Sequence, residues 1–233
     1  MNTHRTRQQY YRPTLTIGIA ILGGALAGPA VAQQPEAATT PPADAQIDIE
    51  RSRVFARVGK IGLGHEHGVE GRFKSGWLKL GASENAGQLV FDLTTFTADT
   101  EVARSYVGLK EPIEASDQQQ VTETLRGHEV LDVDKHPTAT FSIRSAKSVP
   151  PPKGTEVASY ELEGDFVLHG VRRPLQVKAI VLPVDNNLRV HGKFVIKQSD
   201  FGIKPYSKFL GTVRVADELT IWGDAWLPAT ATK

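Results

Sequence analysis

The sequence predicts an all-β domain of about eight antiparallel strands, broken by a short helical insert. Three observations carry that prediction. Apolar and polar residues alternate with period two in segment after segment from Arg53 to Trp222, the signature of half-buried strands. Turn-forming Gly, Pro, Asn and Asp gather between those segments, drawn from 21 glycines and 14 prolines in 233 residues. One stretch, Ser116 to Gly127, abandons the alternation and carries helix signals instead.

The elements follow in order. Val54, Ala56 and Val58 share one face of the first strand, opposite Arg53, Phe55 and Arg57. Val69 to Leu80 continues the pattern, with Gly71 and Gly76 placed as bulges or bends. Leu89 to Phe96 follows the turn-rich run 81–87. Thr100 to Val107 reads as a second short helix with Val102 and Tyr106 on one side. In the helical insert Ser116 is the expected N-cap, Gln119 its capping-box partner, and Gly127 the terminating glycine. Val121 and Leu125, four apart, share a face.

Alternation resumes with Ala139, Phe141 and Ile143, then Leu162, Phe166 and Leu168 opposite Glu161, Glu163 and Asp165. Leu175 to Val181 and Leu188 to Ile196 flank Asp185-Asn186, a hairpin turn where left-handed conformations are tolerated. Leu219 and Ile221 close the series, with Trp222 and Trp226 on the opposite face. These strands suit a closed barrel or a sandwich, and periodicity alone does not choose. A barrel has the advantage of removing exposed edges.

Residues 1–32 read as a secretory signal peptide. Arg5, Arg7 and Arg12 precede an uncharged apolar run from Leu15 to Ala27, then Gly28-Pro29 and the small-x-small site Ala30-Val31-Ala32. Residues 33–46 read as a flexible leader, 47–227 as the domain and 228–233 as a tail. The segment 1–32 holds three of the 27 Lys and Arg and none of the 26 Asp and Glu, so the net charge moves from +1 to −2 on its removal. A periplasmic location is expected. Without an adjacent arginine pair the chain is expected to cross unfolded, which disfavours a preloaded cofactor, and no cofactor is predicted.

Composition excludes several activities. The chain has no cysteine, hence no thiolate metal site, disulfide or cysteine nucleophile. Near-zero charge without a basic block argues against nucleic acid as a partner. No G-x-S-x-G or P-loop occurs, and Gly62-Leu63-Gly64 does not open a helix. The most chemical-looking residues are His65 and His67. On a strand, two such imidazoles would share a side and reach one metal, with a third ligand from His169, His128, His136 or a carboxylate. The plainer reading is a pair of polar histidines at a turn or barrel mouth. It is favoured, so no metal is assigned, and a metal-dependent periplasmic enzyme using this pair is kept as the alternative function. The carboxylates Glu161, Glu163 and Asp165 read as a solvated exterior. The phenylalanines on apolar strand faces either fill a core or line a cavity for an elongated ligand.

Particular motifs extend this reading. Gly68-Val-Glu-Gly-Arg-Phe73, the His136-Pro137-x-x-x-Phe141 element, Gly164 to Val171 (GDFVLHGV) and Ser199-Asp-Phe-Gly-Ile203 occur in this order across Ile47 to about Leu227. In these the chain resembles the YceI-type, lipocalin-like polyisoprenoid-binding proteins. The resemblance implies an extended antiparallel β-barrel, partly closed by helical segments. It also implies an apolar tunnel for an isoprenoid or fatty-acyl amphiphile, and a possible homodimer. The expected ligand-binding wall is Phe73, Phe91, Phe141, Phe166, Phe194 and Ile196, with His65, His67 and Arg104 orienting the polar end. Two stretches depart from the family's pattern: His65-Glu66-His67 in its glycine-rich setting, and the Lys- and aromatic-rich run 201–215.

Overall fold

The computed structural model of the chain describes residues 45–229. The stretch 1–32 read as an export signal, the leader as far as residue 44 and the tail from residue 230 lie outside the described residues. Ala45 is buried and Gln46 forms an antiparallel bridge with Trp77, so these two leader residues belong to the packed domain.

The alternating segments become β1 (Arg53–Gly62), β2 (His67–Leu78), β3 (Gly87–Ala98), β4 (Thr138–Val149), β5 (Ala158–Leu168), β6 (Val171–Val184) and β7 (Asn187–Lys197), then a two-residue β8 (Ser207–Lys208) and a long β9 (Val213–Pro228). Helices α1 (Glu101–Tyr106) and α2 (Ala115–Arg126) lie between β3 and β4. From β1 to β7 each strand pairs antiparallel with the next. The choice between barrel and sandwich falls to β9. Its 16 residues pair with β7 on one side (Phe194↔Ile221) and with β1 on the other (Phe55↔Trp222), which closes the eight long strands into a barrel. β8 adds only a short edge to β9.

Local chemistry sets the register. The β5–β6 hairpin turns on His169 and Gly170, with φ of 52° and 76°, the double positive φ of a type I′ turn, which matches the twist of the flanking strands. Asp185, at φ 51°, serves the β6–β7 turn. In β2 the register shifts at Gly71, as expected, and again between Phe73 and Ser75, whereas Gly76 stays in register with Leu89. Gly71 is required sterically as well, because a Cβ there would fall within the Phe96 ring.

The helices also depart from expectation in detail. α2 begins after Glu114, which makes no side-chain cap, so Ser116 lies within the first turn. Gln119 donates to Glu123 Oε1 at 2.9 Å rather than back to a cap. Gly127 ends the helix in an extended conformation (φ −66°, ψ 170°) rather than a left-handed one. Val121 and Leu125 of α2 cover a small cluster of Ala56, Val69 and Ala98. α1 is capped by Thr100, whose Oγ1 accepts from Ala103 N–H at 3.0 Å. Its backbone rests directly on β2, since a Cβ on Gly68 would lie 2.9 Å from the Ala103 carbonyl. Gly68→Ala must push α1 outward, with an expected loss of about 1–3 kcal/mol. A urea midpoint unchanged in that variant would contradict this docking.

The two tryptophans are covered on the outer face. Trp222 meets Tyr106 of α1 edge-on at 6.3 Å, and the Arg51 guanidinium lies 3.9 Å over the Trp226 ring. Glu163 and Asp165 likewise lie among exterior cations, with Lys147 Nζ 3.8 Å from Glu163 and Arg172 Nη1 3.7 Å from Asp165.

Candidate ligand-binding lumen

Inward residues of every long strand enclose one apolar core. At its centre is a cavity whose wall includes Phe73, Phe91, Phe141, Phe166 and Phe194, five of the six residues expected to line a tunnel. Ile196 is buried in the same core but is not on the cavity wall. No wall residue has a polar side chain. The rings form a connected series: Phe73 to Phe91 at 4.8 Å, Phe91 to Phe166 at 6.1 Å, Phe166 to Phe194 at 6.1 Å. The last two contacts are edge-on, the arrangement the ring quadrupoles favour, worth about 0.5–1.5 kcal/mol per pair.

Sequence reading missed three participants. Phe201, in the 3-10 turn after β7, meets Phe166 edge-on at 5.6 Å. Period two could not assign it to the core, because it lies four residues beyond the end of β7. Gly192 and Gly223 pair across β7 and β9 and complete the wall. A Cβ on Gly223 would meet nothing within 4 Å, so the lumen is open at that point. The free space between the rings is about 40 Å³. That is well short of the ~300–1,000 Å³ of typical small-molecule sites. A long chain would fit only if the phenylalanines turned aside.

The proposed polar end is arranged differently. His65 lies exposed in the turn before β2, not on a strand, because Gly62 and Gly64 take φ of 76° and 110° there. The period-two argument for a shared metal consequently lapses. His67 Nδ1 lies 2.6 Å from Asp99 Oδ2, and His136 and His169 face each other, ring to ring, at 4.5 Å. Among the described residues no group of three His, Asp or Glu is placed to hold a metal ion.

Arg104 is buried between α1 and β2 and does not line the cavity. Its Nη1 donates to Asp99 Oδ1 at 2.8 Å and to the Glu66 carbonyl at 3.1 Å, and its Nε donates to the Glu111 carbonyl at 2.7 Å. Asp99 also accepts from Gly68 N–H at 3.1 Å. Burial pushes the Asp99 carboxyl upward, but the donors His67, Arg104 and Gly68 outweigh it and hold it below its ordinary value of 3.8. An ionised Asp99 makes His67 Nδ1 the donor.

A second cluster ties the other end of α1 to the wall. Asp224 accepts from Arg189 through both carboxylate oxygens (2.7 and 2.9 Å), from the Tyr106 hydroxyl (2.6 Å) and faces His191 Nδ1 (3.0 Å). Burial and this carboxylate push the Tyr106 phenol well above its ordinary value. Both clusters face the barrel exterior and hold α1 in place. No buried side-chain N or O among the described residues lacks a partner.

Comparison with known proteins agrees with this geometry. The family model described as a YceI-like domain matches residues 46–225. A UPF0312 protein of Azotobacter vinelandii is 27% identical over 196 residues, which span 82% of this chain and 85% of the relative. Among solved structures, BcnA of Burkholderia cenocepacia superposes with a TM-score of 0.53 at 19% identity, over 77% of this chain and 98% of that one. A polyisoprenoid-binding domain from Saccharophagus degradans, implicated in plant cell wall breakdown, gives 0.54 at 12% identity, over 80% and 98%. At these identities the two structures speak for the fold.

Proposed function

Because the chain belongs to the YceI-like domain family, we propose that it binds and carries an isoprenoid or fatty-acyl amphiphile in its barrel lumen. The observation that carries this is the cavity wall itself: five phenylalanines and no polar side chain at the centre of a closed barrel. Such a wall rewards only apolar surface, at about 25 cal/mol per Å² removed from water, against the cost of ordering a flexible chain. It offers no nucleophile, acid or base, so the reading is of binding without chemistry. The export signal expected from the sequence of residues 1–32 supports a periplasmic setting.

The roles proposed for the residues follow the geometry. Phe73, Phe91, Phe141, Phe166 and Phe194 form the wall, and Phe201 packs edge-on against Phe166. Ile196 supports the wall from behind. His67 and Arg104 act through α1, which they anchor, rather than through contact with a chain in the lumen.

The test is organic extraction of the purified protein followed by mass spectrometry. A prenyl or acyl lipid at near-stoichiometric amount is the expected result. Protein that yields none, and that fails to take up prenyl or acyl probes on titration, would overturn the proposal. One observation favours a second reading. The small free volume fits a barrel filled by its own side chains, acting through its surface, and that reading predicts the empty extraction.

A further inference from the structure

The run 201–215 takes no part in the lumen beyond its first residues, yet it is chemically distinct. Phe201 and Ile203 are buried in the core. The chain then leaves the barrel through β8, turns at Phe209–Gly211 and returns as β9. This turn lies beside the end of β1. Leu63 bridges Val213 and donates its N–H to the Thr212 carbonyl at 3.1 Å, and Ile61 pairs with Arg214.

Of the six large hydrophobic side chains most exposed among the described residues, three gather at this tip: Ile61 at 44%, Leu63 at 66% and Leu210 at 109%. Leu210 is doubly costly there. It adopts φ 54°, a left-handed conformation that disfavours a bulky side chain and suits glycine or asparagine. No burial repays it. Strain of that kind, kept on an exposed apolar residue, points to a use.

Charge completes the pattern. Residues 58–65 and 202–215 carry Lys60, Lys204, Lys208 and Arg214 and no aspartate or glutamate. All four cations are exposed. Of the neighbouring acids, Glu66 is engaged by Arg57 at 2.7 Å, and Glu129 approaches Lys208 from the segment after α2. Projecting leucines ringed by lysine and arginine match an anionic bilayer, whose surface attracts the cations while its acyl boundary receives the apolar tips.

We propose that the tip formed by the β1–β2 turn and the β8–β9 turn docks this protein on anionic membrane surfaces, with Leu63 and Leu210 inserting and Lys60, Lys204, Lys208 and Arg214 facing the phosphates. The docking segment continues directly from Phe201, whose ring closes on Phe166, so the docked face adjoins the aromatic wall of the lumen. The site does not depend on what the lumen holds.

The test is co-sedimentation of the chain from Gln33 onward, which contains the whole closed barrel, with large unilamellar vesicles. Vesicles of phosphatidylglycerol and phosphatidylethanolamine are compared with pure phosphatidylcholine, at low and high salt. Binding to the anionic vesicles alone, weakened by salt, is expected. Lys204→Glu with Lys208→Glu should reduce it about tenfold or more. Leu63→Asn with Leu210→Gly should reduce it comparably, and Leu210→Gly alone relieves the backbone, so a loss there does not reflect unfolding. Absence of binding by the parent protein, or equal binding by the variants, would overturn the proposal. So would a dimer in sedimentation velocity that these variants dissolve while vesicle binding is absent, since the tip would then be a self-association surface.

Discussion

Gly223→Leu is expected to abolish the lipid binding proposed for the lumen while leaving the barrel folded. Gly223 lies on the cavity wall, paired with Gly192 in β7 and Val54 in β1, and a Cβ placed on it meets nothing within 4 Å. A leucine there grows into the space that a chain would occupy. Burying its side chain gains about 1.5–3 kcal/mol, and crowding of the neighbouring rings costs a similar amount, so stability should change by no more than about 1–2 kcal/mol. Lipid recovered by extraction should fall at least tenfold, a loss of about 1.4 kcal/mol or more in binding. A variant that melts like the parent protein and still carries its lipid would place the binding site outside the lumen.

Asp99→Ala is expected to cost the most stability of any single change considered. It removes the common acceptor of His67, Arg104 and the Gly68 N–H, and it strands the Arg104 guanidinium in a site where its side chain is only 9% exposed. Breaking a buried pair in this way costs about 3–5 kcal/mol. In a domain of this size that lowers Tm by roughly 6–20 °C. Calorimetry on the variant checks it, and a shift under 2 °C would refute the role assigned to Asp99 (about 2–4 °C per kcal/mol).

The same carboxylate sets an acid limb. Its folded pKa lies below the ordinary 3.8, so its contribution is complete above that value and is lost as pH falls through the depressed folded one. Asp224, lowered in the same sense by His191, Arg189 and Tyr106 against the upward push of burial, adds to the limb. Urea midpoints should therefore drop mainly as pH is taken below about 4. Asp99→Asn should flatten part of that slope, because it has no charge left to lose.

Much of the wall was legible because strand geometry is local. Phe141, Phe166 and Phe194 lie at alternating apolar positions, and period two assigns them one face whatever the strands' partners are. The short helix over Thr100 to Val107 was likewise legible, from Val102 and Tyr106 on one side. The polar residues were harder to place. Arg104 and His67 look like a ligand's polar end when read singly. Their shared partner Asp99 is 32 residues from His67 and caps the outer side of β2, which no local pattern reveals. The His65/His67 pairing failed for a local reason: glycines with positive φ release His65 from the strand before the alternation begins.

By itself, the sequence determined the export signal as an expectation, the strands and their inward faces, both helices, and through its motifs the family. These depend on residue spacing and backbone preference within a few turns of chain. Only the tertiary structure decided that β9 is shared between β7 and β1, that Gly192 and Gly223 join the wall, and that Asp99 and Asp224 bind α1 to the barrel. Those are contacts between residues far apart in the chain, as from Phe55 to Trp222. They are selected by which surfaces bury one another on closure, a competition settled only when all the strands are present together.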